Sequence, residues 1–301
     1  MKLIDTIKVH NELGEGIIWD HARQLAWWTD ILQKKLYQYD PLTKTLHEWD
    51  TPERLCCFAP VKDNEKLICA FESGFAFYEP RTGEIDWVSR LEQDNPGTRF
   101  NDGRTDRQGR LWAGTMVEDK DKATYKGSLY CLHADLTVSK TISGLSITNS
   151  LCWSPDGTTL YHTDTPTRTI MKYPFDTTTG AIGEGTTLVE TGTGCYPDGS
   201  IVDSEGCLWN AQWGASKVVR YTPAGKVDRE VNLPMSQPTC VAFGGENLNL
   251  LFITSAWSEL SESNKRNQPD AGNVLVFQTD ITGLKEESFI EQVKNAVSYG
   301  R

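Results

Sequence analysis

Four polar side chains, Glu15, Asn101, Asn149 and Asp198, stand near the start of short apolar segments: GEGIIW, FNDGRT, TNSLCWS and PDGSIVD. An ordinary strand would place Val, Ile or Tyr at such positions. Two carboxylates and two amides brought to one point offer oxygen ligands to one divalent cation. Ca²⁺, Mg²⁺ and Mn²⁺ suit them, and the two negative charges also admit Zn²⁺ or Fe²⁺. The competing structural reading is that Asp, Asn and Gly here only make turns. Turns need no common register, and these residues have one. With Cys57 in CCFAPV and Cys240 in TCVAFG they form six positions spaced 42, 44, 48, 49 and 42 residues apart. A step of 15 from each lands on Asp30, Glu72, Met116, Asp164, Trp213 and Ser255, each near the expected end of a second strand.

Such a register requires a repeated unit to hold it. Alternating apolar residues and turn clusters recur in LAWWTDILQKKLYQYDPLTK, KLICAFESGFAFYEPRTGE and TLYHTDTPTRTIMKYPFDTTTG, with little helical periodicity between them. All-β units of about 45 residues, six in number, predict an all-β, six-bladed β-propeller with four-stranded antiparallel blades around a central channel. The first strand of each blade would line the channel, which places the polar residues at its mouth. Residues 1–301 are expected to form a single domain, with LIDTIKV adding the outer strand of the last blade and removing a free edge.

The 301 residues carry 30 Lys+Arg against 41 Asp+Glu, a net charge of −11. That balance disfavours nucleic acid and anionic membrane, which need clustered basic residues. The first residues lack a signal-peptide pattern, and a cytoplasmic location is expected. The 8 cysteines contain no C-x-x-C pair and read as reduced, mostly structural thiols. Nucleophile-elbow, P-loop, dinucleotide and H-E-x-x-H motifs are missing, and the 5 histidines are scattered. His162, in YHTDT, reads as a packed strand residue, and Asp30 and Asp164 as a shared element of blade architecture.

The segments LGEGIIWD at 13–20, RFNDGRTDRQGRLWAGTM at 99–116, ITNSLCWSPDG at 147–157 and YPDGSIVDSEGCLW at 196–209 resemble the SMP-30/gluconolactonase family, sugar-lactone hydrolases that include regucalcin. FGGENLNLLFITSA at 243–256 and AGNVLVF at 271–277 extend the resemblance over nearly the whole chain. The family fold is a six-bladed propeller. By this resemblance, Glu15, Asn149 and Asp198 hold the metal, while Arg99 and Asn101 contact sugar hydroxyls. Some members add an acid just after the GTM segment; here Asp119 falls there, with Glu118 beside it.

The implied activity is metal-dependent hydrolysis of a pentono- or hexonolactone, the substrate being a small neutral sugar lactone. Three protein ligands leave room for water and substrate, and Asp198 is the expected general base. Two other functions compete: a noncatalytic calcium-binding or scaffold propeller, and a promiscuous metal-dependent phosphotriesterase. Residues 257–271 form an insertion on the mouth side, where a substrate lid is expected. The sequence is compatible with a monomer or a dimer.

Overall fold

The computed structural model describes residues 1–292. Six four-stranded antiparallel sheets form, as the alternation and the turn spacing require. The six-bladed propeller expected from the repeat is the observed fold. Five sheets use four strands consecutive in sequence. The sixth takes its outer strand from the other end of the chain: Lys2–Ile7 pairs antiparallel with Val274–Gln278.

The first strands of blades one to six are Gly14–Asp20, Leu55–Pro60, Thr98–Thr105, Thr148–Trp153, Tyr196–Val202 and Pro238–Gly244. Apart from Tyr196 every residue in them is buried, and successive blades meet through them, so they line the axis. Fourth strands such as Thr45–Asp50 are largely exposed. The core lies between these layers in apolar clusters that bridge blades. Trp19 and Trp28 of blade one, for example, pack in one cluster with Phe252 and Val276 of blade six.

Two buried acids explain the likeness of DRQGRLW and DSEGCLW. Asp106 accepts from Trp112 Nε1 at 2.9 Å and Arg110 Nε at 2.6 Å. Asp203 accepts from Trp209 Nε1 at 2.8 Å and Arg220 Nε at 2.7 Å. A tryptophan N–H and a guanidinium thus satisfy each carboxylate away from water. The far end of the channel is crossed by the segment after blade six. Ser204 N donates to Thr282 O, Phe289 N to Pro60 O, and Glu286 pairs with the buried Arg104. All eight cysteines are free thiols. Among the described residues no helix is long and apolar enough to cross a membrane.

Candidate metal and substrate site

The first strands reach the mouth through β-bulges, and these refine the sequence register. Asp30, Asp164, Trp213 and Ser255 do end their second strands. On the first strands, Glu15 pairs with Thr29 and Asn149 with Thr163, just ahead of a break in the ladder. Asn101 and Asp198 lie inside the corresponding breaks, one position later. A bulge re-aims a side chain that a regular pleat would turn elsewhere. The residue after each pre-bulge ligand is left-handed, Gly16 at φ 59° and Ser150 at φ 63°. A Cβ at Gly16 would also lie 3.2 Å from Cys56 O, which favours glycine. Ser150 offsets its backbone strain by donating from Oγ to Asp198 O at 2.6 Å. Asn210 Nδ2 grips the same carbonyl at 3.0 Å.

Three acids gather here. Glu15 and Asp198 are each only 6% exposed, and Asp102, a residue the sequence reading passed over, is equally buried. Burial, followed by repulsion from Asp102, holds the Glu15 carboxyl above its usual range. Burial also raises Asp198, and Glu15 and Asp102 push it further. Asp102 accepts from Gly103 N at 2.9 Å and Leu151 N at 3.1 Å, with Arg104 two residues along the strand partly offsetting the effect of burial. Asn149 is oriented by Thr165: its Nδ2 donates to Thr165 Oγ1 at 2.8 Å, and that hydroxyl donates to Pro197 O. Its Oδ1 stays on the side of Asn101 Nδ2, 3.1 Å away. Two raised carboxyls and an amide oxygen, buried together, fit one divalent cation, whose charge would supply what Arg99 and Arg104 only partly provide.

Beside the acids runs a chain of polar contacts across blades. Arg99, 4% exposed, donates from Nη1 to Asn101 Oδ1 at 2.8 Å and from Nε to Glu118 Oε1 at 3.1 Å. Arg54 reaches Glu118 from blade two at 2.8 and 2.9 Å. The structure therefore groups Glu15, Arg99, Asn101, Glu118, Asn149 and Asp198. Asp119 is turned away: it pairs with Lys122 at 2.8 Å and accepts from Asp121 N in its own turn. Arg54 escaped the sequence reading because its partner lies 64 residues away in another blade; the signal available was only its position ahead of LCCF.

Asp30 and Asp164 have the common architectural place expected of them. Asp30 accepts from Glu12 N and Leu13 N, and Asp164 from Ser146 N and Ile147 N, so each clamps the segment leading into its blade. His162 is buried at 2% exposure. In the 257–271 insertion, Ser261 caps the short helix Glu262–Asn267. Trp257 and Ser258 bond through their N–H groups to Glu12 O, which seats the insertion beside the start of blade one.

Comparison with known proteins gives a consistent set of relatives. The family model described as SMP-30/Gluconolactonase/LRE-like region matches residues 13–257. The chain is 35% identical to the 6-deoxy-6-sulfogluconolactonase of Pseudomonas putida over 92% of its own length and 94% of that protein. It is 36% identical to the L-arabinolactonase of Azospirillum brasilense, over 93% and 92%. Among solved structures, the calcium-binding protein regucalcin from Agrobacterium tumefaciens superimposes with a TM-score of 0.89 at 33% identity, covering 95% of this chain and 97% of that one.

Proposed function

The chain belongs to the SMP-30/gluconolactonase/LRE-like family of sugar lactonases, and from that premise we propose that it hydrolyses an uncharged aldonolactone of five or six carbons, using one divalent cation. The observation that carries this is the burial of Glu15, Asn149 and Asp198 on the channel-lining strands beside the Arg99–Asn101–Glu118 chain, which Asn101 links to Asn149. The first three residues would hold the cation, which supplies electrophilic polarisation of an ester carbonyl at neutral pH.

The remaining work falls to side chains. Arg99 commits Nε and Nη1 within the protein, and its Nη2 donors face the task of holding ring hydroxyls. Of Glu118 and Asp119, the geometry favours Glu118 as the acceptor for a hydroxyl. Asp198 takes a proton from water as the water oxygen bonds to the lactone carbon. The ring C–O bond then breaks, the ring oxygen receives a proton, and the product is the hydroxy acid. Each guanidinium of the chain already faces an acid, so an anionic lactone finds no free cation there; this favours a neutral substrate.

A proton-release assay over aldono-1,4- and aldono-1,5-lactones, a sulfonated lactone included, tests the reading. Turnover above the spontaneous rate is expected for neutral lactones. It should be abolished by EDTA, restored by a divalent cation, and reduced at least about a thousandfold in Asp198→Asn. Activity that survives thorough metal removal would refute the mechanism. Cation-dependent stabilisation with no lactone turnover would point instead to a calcium-binding propeller, and turnover confined to phosphotriesters to the other competing activity.

A further inference from the structure

Glu118 is a flexible side chain just beyond the strand Leu111–Val117, yet it is held at three points. Arg54 Nη1 bonds both its oxygens, at 2.8 and 2.9 Å, and Arg99 Nε bonds Oε1 at 3.1 Å. A carboxylate offers about four lone-pair sites. Two on Oε1 and one on Oε2 are used, which leaves one on Oε2 for a ligand hydroxyl. Burial alone would raise the Glu118 carboxyl, but Arg99 and Arg54 hold it below its usual range, so it remains an acceptor.

Arg54 is fixed in turn. Glu72 stands at the register position of Asp30 and Asp164 and clamps the segment leading into its own blade, as they do. Glu72 N donates to Arg54 O at 2.8 Å, and its Oε2 accepts from Arg54 Nε at 2.6 Å. In blade two, therefore, the clamp grips a guanidinium as well as backbone, and the free end of that guanidinium is aimed across to blade three. Neighbouring bonds stiffen the approach: Thr51 Oγ1 donates to Glu53 O at 2.7 Å, and Arg90 Nη1 to Glu53 Oε1 at 2.8 Å.

We infer that Arg54 is a positioning residue for the lactonase site: held by Glu72, it fixes Glu118 so that one carboxylate lone pair faces the sugar. This role rests on the lactonase reading above. Arg54 touches no reacting atom, so its loss should weaken substrate binding and leave the hydrolytic step largely intact.

The test is a double-mutant cycle on the best neutral lactone, with KM and kcat measured for wild type, Arg54→Met, Glu118→Ala and the double variant. Arg54→Met is expected to raise KM about tenfold with kcat within about twofold, a size in keeping with one charged hydrogen bond lost from substrate. In the Glu118→Ala background the same change should add less than about twofold, because Arg54 acts only through Glu118. Arg54→Lys, which keeps the charge but not the fork, should lie between and covers the case in which the Met variant folds poorly. The cation-induced thermal shift should stay that of the wild type throughout. A KM unchanged in Arg54→Met, or a full tenfold effect persisting without Glu118, would overturn the inference. Wild-type protein without lactone turnover would sink the lactonase reading itself, and this role with it.

Discussion

Acidification should weaken this protein through one histidine. His162 lies in the strand Thr159–Asp164, is 2% exposed, and has an Nε2 with no hydrogen-bond partner among the described residues. Burial alone pushes its pKa from 6.5 down to about 4. The folded protein thus keeps the ring neutral over a range in which the unfolded chain takes up a proton. With the folded value below the unfolded one, the contribution is fully present above pH 6.5 and is lost as pH falls towards 4. At about 1.4 kcal/mol per pH unit, the loss is about 1.4 kcal/mol at pH 5.5 and about 3 kcal/mol by pH 4. Urea unfolding followed by tryptophan fluorescence at pH 7.5 and 5.5 measures it, in wild type and in His162→Phe. The other titrating groups are common to both proteins and cancel in the difference between them. Wild type should lose about 1.4 kcal/mol more than the variant over this interval, whatever the variant's stability at pH 7.5. The neighbouring Thr163 pairs with Asn149, so the weakened strand is the one that backs a candidate metal ligand. Equal pH slopes for the two proteins would refute the reasoning.

Asp203→Ala removes the acceptor shared by Trp209 Nε1 and Arg220 Nε in the core of blade five. Arg220 keeps Glu205 and Asp228 as partners, but Trp209 Nε1 and Cys207 N lose a buried acceptor, so the variant should lose about 2–3 kcal/mol in chemical denaturation while KM for lactone stays near that of wild type. Deleting residues 1–8 strips Lys2–Ile7 from blade six, and exposes Val274–Gln278 as an edge. Loss of Ile7 burial alone predicts at least about 2 kcal/mol of destabilisation and a tendency to aggregate; a melting temperature equal to that of the full chain would show that the strand does not close the ring.

The parts of this molecule legible in its sequence share a physical character. The six blades show because strand alternation and turn chemistry are local and repeat. The acids at the mouth show because they break the local rule. Glu15 and Asp198 sit in strands whose other residues are nearly all buried, where a carboxylate is costly without a partner. The bulges were hidden, since one extra residue changes which way a side chain points without altering the apolar spacing enough to notice. Glu118 could not be chosen over Asp119 for a related reason: the strand stops at Val117, and beyond it the alternation no longer says which of two neighbours faces the channel. Arg54 was hidden more completely, and Glu72 showed only as a register position, without its pairing to Arg54. Each is an ordinary charged residue beside a strand end, where charges belong, and only the closing of the ring brings Arg54 to Glu118. Candidate ligand residues such as Glu15 and Asp198 betray themselves by being out of place, whereas Arg54, proposed to position Glu118, obeys the rules of its surroundings. Sequence reading is therefore biased towards the first group, and the second appears only when distances across blades are known.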